Sequence, residues 1–82
     1  MFKHVIEAKH IGNYKIWISF NDGKKGNIDL SEKLSGKGGV FEPLKDISYF
    51  RKFGIANGTL TWENGADFAP ESLYGLIHPQ EG

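Results

Sequence analysis

The strongest constraint in this sequence is a two-residue alternation that continues through a turn. From Tyr14 to Phe20 the even-numbered positions are apolar, which is typical of a strand with one buried face. The residues NDG follow, and the next segment, KKGNIDL, returns to apolar side chains at Ile28 and Leu30. The pattern therefore predicts a β-hairpin whose two strands share one apolar face.

The length of the hairpin loop decides which residues face each other. A two-residue loop at Asp22-Gly23 would pair Ile18 with Asn27 and would mix apolar with polar positions. A three-residue loop instead pairs Ile16 with Ile28 and keeps one face apolar. We therefore predict the three-residue loop, with Gly23 in the left-handed conformation as a bulge.

The remaining segments predict short elements around this hairpin. A strand over Lys3–Ile11, joined through Gly12-Asn13, would complete an antiparallel meander. The predicted fold class is α+β, a small antiparallel meander and hairpin sheet with one or two short helices, the last near the carboxyl end. A single helical turn is predicted at Ser31. A short helix follows, which is capped by Asp46, stops at Gly54 and has Ile47, Phe50 and Phe53 on its apolar face. A hairpin around Asn57-Gly58 is predicted to join the sheet, and a last helix to run from Pro70 to near His78-Pro79.

Composition narrows the function classes. With 82 residues, the chain is expected to form a single domain over residues 1–82. Ten basic and ten acidic residues give zero net charge, which makes nucleic acid an unlikely partner. The chain has no cysteine, as fits a reducing compartment, and no apolar run long enough to span a membrane. We therefore expect a cytoplasmic protein with no membrane association.

Three segments carry a family resemblance: FNDGKKGNIDL, GGVFEPLKD and TWENGADFAPESLYGLI, in that order. Together they resemble the bacterial family called domain of unknown function 2442. The resemblance implies a small α+β domain without enzymatic activity, discussed as the antitoxin-like half of a two-gene module. Some members look as though they carry an added helix-turn-helix domain, which we do not expect in this sequence. The most specific part of the match is the closing motif Trp62, Asn64, Gly65, Asp67, Pro70, Glu71 and Leu73.

Two acids in that motif, Asp67 and Glu71, admit two interpretations. As a general acid and base they would need environments that push their pKa values apart. As structural residues, Asp67 would accept backbone N–H bonds near Asn64-Gly65 or the helix start at Pro70, and Glu71 would favour the helix dipole. We favour the structural interpretation and predict no catalytic residue, no metal site and no cofactor.

Trp17 is the large apolar side chain that breaks the alternation. In order of preference, it packs beneath a helix on the second face of the sheet, contacts a partner protein together with Lys15, or stacks on a nucleic-acid base. The sheet edges also predict a homodimer.

The sequence therefore indicates a non-enzymatic module that binds another protein, and the family resemblance makes a toxin-like cognate the expected partner. One alternative is a nucleic-acid-associated regulatory domain, which a basic stripe through Lys15, Lys24 and Lys25 would favour. The other is a small-ligand or enzyme site that uses Asp67 and Glu71.

Overall fold

A three-stranded antiparallel meander forms the centre of the computed structural model, which describes residues 3–77. Its strands are β1 (Val5–Gly12), β2 (Lys15–Phe20) and β3 (Lys25–Asp29), in the order β1-β2-β3. β2 is the middle strand and pairs with β1 and β3, so its side chains occupy the centre of each face of the sheet.

The hairpin between β2 and β3 has the predicted three-residue loop. Ile16 lies opposite Ile28. The Phe20 N–H donates to the carbonyl of Lys24 at 2.8 Å, which leaves three residues in the loop. Gly23 has a φ of +92°, in the left-handed region. The predicted register and the predicted glycine conformation are both confirmed.

Short elements follow the meander, and the α+β fold class is confirmed. After β3 the chain forms a helical turn, two 3₁₀ turns and a second helical turn. It then forms a hairpin and a last short helix. In chain order these are α1 (Ser31–Leu34), the 3₁₀ turns Gly39–Phe41 and Pro43–Lys45, α2 (Ile47–Phe50), β4 (Gly54–Ala56), β5 (Thr59–Thr61) and α3 (Pro70–Tyr74).

The β4–β5 hairpin turns at Asn57-Gly58, as predicted, and both residues have positive φ. The prediction that it joins the main sheet is wrong, because the hairpin forms a separate two-stranded sheet. It contacts β1 through the Val5 N–H, which donates to the carbonyl of Gly58 at 2.8 Å. A bulge between Val5 and Glu7 shifts the register of β1 beside this contact, and bulges end regular pairing.

Two helix boundaries also differ from the predictions. The Asp46 cap is confirmed, since its carboxylate accepts the Ser48 N–H at 3.0 Å. However, α2 ends at Phe50, and Gly54 starts β4 instead of stopping the helix. Ile47, expected on the apolar face, is 36% exposed because a helix of one turn buries one side only.

The last helix is shorter than predicted. α3 begins at Pro70, as expected, but it ends at Tyr74, and Gly75 follows as its C-cap. Glycine is a poor helix former, which accounts for the early end. The predicted end near His78-Pro79 lies outside the described residues.

The core lies on one side of the meander. Three even-numbered residues of β2 are fully buried, and every helix contributes to the same cluster. The cluster comprises Val5, Ile16, Ile18, Phe20, Ile28, Leu30, Leu34, Leu44, Phe50, Leu60, Trp62, Ala66, Phe68, Leu73 and Ile77. We call this side of the meander the inner face and the opposite side the outer face.

The conformation of Gly23 provides the first prediction. Gly23→Val should lower the free energy of unfolding by about 1–2 kcal/mol or more, because a β-branched residue is strained at this φ. The control is Gly54→Val, where an added Cβ meets nothing within 4 Å and φ is not left-handed. Urea denaturation of both variants measures the difference, and equal stabilities would contradict the assignment.

Candidate binding surface

The outer face of the meander carries the predicted contact residues. Trp17 lies at its centre, opposite Lys9 on β1 and Asn27 on β3. Lys15 is two residues before Trp17 on the same strand, and so points to the same side. The structure thus brings Trp17 and Lys15 together on one surface.

Trp17 is half-buried, yet it does not belong to the core. The preferred expectation, that it packs beneath a helix, is wrong. The helices instead bury Leu34, Phe50 and Leu73 in the core on the inner face. Within residues 3–77 the Trp17 indole makes no hydrogen bond and no ring contact. Its N–H and its ring are therefore available to a partner.

Charges of both signs surround this tryptophan. Lys9 lies 3.8 Å from the carboxylate of Glu7 on the same strand, and Lys15 is paired across the strands with Asp29. The alternation places these side chains on the outer face with Trp17. The outer face thus carries both positively and negatively charged side chains around Trp17.

The basic stripe that would favour nucleic acid is interrupted. Lys24 does not lie beside Lys15 and Lys25, because its ammonium sits 4.4 Å from the ring of Tyr74 in α3. Lys15 pairs with Asp29 at one end of β3, and Lys25 pairs with Ser19 at the other end. The three lysines do not form one contiguous patch.

The closing motif is built around Trp62, which is 4% exposed. Its indole N–H donates to the carbonyl of Phe50 at 2.8 Å, and this satisfies the one polar atom of a buried ring. Its ring also lies against Phe50, Phe53 and Phe68, with centroids 5.8–6.3 Å apart. Trp62 therefore ties α2 to the segment that follows β5.

Asn64 holds the turn after Trp62. Its amide oxygen accepts the Ala66 N–H at 3.1 Å, and its amide nitrogen donates to the carbonyl of Val40 at 2.7 Å. Gly65 has a φ of +94° and donates to the Trp62 carbonyl. One side chain thus shapes the turn and joins it to a distant 3₁₀ turn.

The prediction that the carboxylate of Asp67 accepts backbone donors is wrong. Asp67 is exposed, and its side chain makes no hydrogen bond or ion pair within the described residues. Its contribution to the turn comes from the backbone, through a bridge to Thr61. Asn64 accepts a backbone donor in the way expected of Asp67, since its amide oxygen lies 3.1 Å from the nitrogen of Ala66.

The other motif residues follow their expected positions. Pro70 is the first residue of α3, Glu71 lies exposed in its first turn, and Leu73 is fully buried. In residues 3–77 no hydrogen bond joins the side chains of Glu71 and Asp67. The two acids are not brought together in a hydrogen-bonded pair.

Asn64 and Asp67 give the second prediction. Asn64→Ala should lower the free energy of unfolding by about 1–2 kcal/mol, since it removes two hydrogen bonds. Asp67→Ala should change it by less than about 0.5 kcal/mol, as is usual for an exposed side chain without partners. Thermal denaturation of both variants tests the contrast, and a larger loss for Asp67→Ala would reverse the assignment.

One contact was not predicted from the sequence. The hydroxyl of Tyr74 donates to the carboxylate of Asp22 at 2.6 Å, and its ring meets Phe20 edge-on at 5.0 Å. The ammonium groups of Lys3 and Lys24 lie 4.7 and 4.4 Å from the ring centre. A separation of 52 residues leaves no local pattern that could reveal such a pair.

This contact shifts two pKa values. The hydrogen bond from Tyr74, followed by the backbone N–H of Lys24, holds the pKa of Asp22 below its ordinary 3.8. The same hydrogen bond, with a smaller contribution from burial, raises the pKa of Tyr74 above 10.0. The hydroxyl of Ser48 and then its N–H lower the pKa of Asp46 in the same way.

These shifts give the third prediction. A lowered pKa at Asp22 stabilises the fold above pH 3.8, and this is lost as pH falls through the folded-state pKa. The raised pKa of Tyr74 stabilises it below pH 10.0, and this is lost as pH rises through its folded-state pKa.

Tyr74→Phe keeps the ring and removes the hydroxyl, so it should flatten both limbs of the profile of unfolding free energy against pH. Asp46→Asn is the control, because it should change the acid limb alone. Urea denaturation from pH 2 to pH 11 measures both profiles, and a Tyr74→Phe profile parallel to that of the wild type would contradict the prediction.

Sequence comparison matches residues 5–79 to the model of the family described as "Protein of unknown function (DUF2442)". The chain belongs to this family. The match covers all three segments that carried the resemblance. No curated protein matches the sequence.

A solved structure shares the DUF2442 fold seen here. It is the crystal structure of a protein of Nitrosomonas europaea described as a "Putative DNA Binding Protein". The two structures superpose with a TM-score of 0.78 at 18% identity, over 93% of this chain and 49% of the other. At this identity the likeness concerns the fold alone, and the chain spans about half the length of that neighbour.

Among residues 3–77, no three or more histidine or acidic side chains are grouped closely enough to hold a metal ion. No helix in that same part of the chain is both long and apolar enough to cross a membrane.

Proposed function

We propose that this DUF2442 protein is a non-enzymatic module that binds another protein through its outer face. The observation that carries the proposal is the position of Trp17, half-buried on that face without a hydrogen-bond or ring partner in residues 3–77. Tryptophan is enriched among the residues that dominate protein interfaces, because it combines a large apolar area with an N–H donor. Trp17 would be the anchor of the contact.

The charges around Trp17 favour a protein partner. Glu7 and Asp29 accompany Lys9, Lys15 and Lys25, so the surface combines both signs. A protein surface can complement such a pattern, whereas a phosphate backbone would meet repulsion at the acids. Lys15, next to Trp17, would contribute mainly to the rate of association.

A toxin-like protein encoded beside this one is the proposed cognate. This part of the proposal rests on the family resemblance, in which the chain is the antitoxin-like half of a two-gene module. A small protein that binds its partner without chemistry needs an anchor at its surface and no enclosed pocket, and Trp17, half-buried on the outer face, would supply that anchor.

A second candidate is a nucleic-acid-associated regulatory domain. It is favoured by the shared fold with the Nitrosomonas europaea protein and by the presence of Lys9 and Lys15 near Trp17, an arrangement suited to base stacking. The acids on the same face and the zero net charge weaken this candidate.

The test is a titration of the purified protein with the product of the neighbouring gene, measured by calorimetry. We expect a 1:1 complex per chain that Trp17→Ala weakens by about 30-fold, the loss typical of an interface anchor. The control is Ile47→Ala, which truncates an exposed apolar residue of α2, whose buried side packs on the inner face. It should bind as the wild type does.

A parallel titration with single-stranded and double-stranded oligonucleotides separates the two candidates. Binding of DNA that falls with salt and is lost in Trp17→Ala, without binding of the neighbouring protein, would overturn the proposal in favour of the second candidate. Unchanged protein affinity in Trp17→Ala would exclude the outer face as the contact. Far-ultraviolet dichroism should show that Trp17→Ala remains folded, since Trp17 lies outside the core.

A further inference from the structure

Asparagine followed by glycine occurs twice in this chain, at Asn57-Gly58 and at Asn64-Gly65. In such a pair the backbone nitrogen of the glycine attacks the side-chain amide carbon of the asparagine. The new N–C bond closes a cyclic imide, and the amide nitrogen takes up the displaced proton and leaves as ammonia. Water then opens the imide at either carbonyl and yields aspartate or isoaspartate. Glycine favours the attack because it has no side chain and the most mobile backbone.

The fold holds both reacting groups of the second pair. The amide oxygen of Asn64 accepts the Ala66 N–H at 3.1 Å, and its amide nitrogen donates to the Val40 carbonyl at 2.7 Å. The nucleophile of this pair, the Gly65 nitrogen, donates its own N–H to the Trp62 carbonyl at 3.0 Å. Bringing the two groups together would break these hydrogen bonds, so the native turn protects Asn64.

The first pair is placed differently. Asn57 is exposed at the tip of the β4–β5 hairpin. Within residues 3–77, neither its side-chain amide nor the N–H of Gly58 has a hydrogen-bond partner. The carbonyl of Gly58 accepts the Val5 N–H at 2.8 Å, but this carbonyl takes no part in the attack. The described hydrogen bonds therefore leave both reacting groups of this pair unrestrained.

The strand that leads into this turn is less firmly held than the strand that leaves it. All three residues of β4 are exposed, whereas Thr59 and Leu60 of β5 are buried. The Thr59 hydroxyl also donates to the Phe68 carbonyl at 2.5 Å, which ties β5 to the closing motif. Segments with few buried contacts open locally at a low cost in free energy. β4 and the turn therefore open while the core stays intact, and this lets Asn57 reach the reactive geometry.

The turn itself requires the residue types that make this pair reactive. Asn57 and Gly58 have φ values of +53° and +76°, and asparagine followed by glycine is the preferred pair for two successive positive φ angles. A Cβ on Gly58 would also lie 2.8 Å from Nδ1 of His4. The hairpin thus depends on glycine at this position, and the reactivity of Asn57 comes with it.

We propose that Asn57 is a modification site at which the chain deamidates spontaneously through a cyclic imide, whereas the fold protects Asn64. Aspartate at position 57 fits the turn, since aspartate tolerates a positive φ. Isoaspartate does not fit, because its backbone runs through the side chain and gains a carbon atom. It would break the pairing of Ala56 with Thr59 and the bond between Gly58 and Val5. This modification is independent of the protein partner.

The experiment follows both asparagines of the full chain during incubation in mildly alkaline buffer, with and without urea. Peptide mass spectrometry measures the replacement of each side-chain amide by an acid. In urea both pairs are unfolded, so they should convert at similar rates and provide the reference time. In the native chain Asn64 should convert about 30-fold more slowly than Asn57, because its hydrogen bonds must break first.

A second measurement tests what the modification does to the turn. Chromatography separates the aged chains that carry isoaspartate, and their Tm should be about 4–8 °C below that of fresh protein. Freshly purified Asn57→Asp has the new charge without the longer backbone and should melt as the wild type does. Asn57→Gly suits the positive φ and forms no imide at this position, so its Tm should not fall on ageing.

Three results would overturn the proposal. The first is a native chain in which Asn57 keeps its amide over the time that converts it fully in urea. The second is equal conversion of Asn57 and Asn64 in the native chain. The third is an isoaspartate fraction that melts at the same temperature as fresh protein.

Discussion

The burial of one face of β2 is the constraint on which the rest of the structure depends. Ile16, Ile18 and Phe20 are fully buried, and β2 is the middle strand, which pairs with both β1 and β3. Because strand side chains alternate, a slip of one residue would expose all three to water. The same alternation leaves the odd-numbered Trp17 outside the core. The alternation of side chains along the six residues of β2 therefore accounts for both the hydrophobic core and the proposed binding surface.

The elements outside the meander owe their existence to packing. Helices of four or five residues are not stable alone in water, because fixing the backbone of the first turn costs more free energy than its few hydrogen bonds provide. Each is retained because a side chain such as Leu34, Phe50 or Leu73 enters the core. Trp62 connects these pieces by bonding to Phe50 and packing on Phe68. Within the closing motif, the buried Trp62 connects these elements, whereas the acids Asp67 and Glu71 are exposed.

Much of the fold could be predicted from local patterns. The alternation around NDG predicted the register of the β2–β3 hairpin, and Asp46 marked a helix start. Predictions failed where the deciding partner is remote in sequence. Asp67 looked well placed to hold the turn, but Asn64 holds it, with a local bond from the Ala66 N–H and a second bond to the carbonyl of Val40, 24 residues away. Nothing local could reveal the bond between Tyr74 and Asp22, since folding alone brings the two together.

By itself the sequence determined the α+β class, the register of the central hairpin and the family, because these depend on spacing between near neighbours. Only the tertiary structure decided that β4–β5 forms its own sheet and that Trp17 lies outside the core. It also decided that β1 carries register shifts whereas β3 pairs with β2 without one. The physical reason is the same in each case. A small chain has little apolar surface to bury, and within residues 3–77 long-range packing gathers it into one core on the inner face of the sheet.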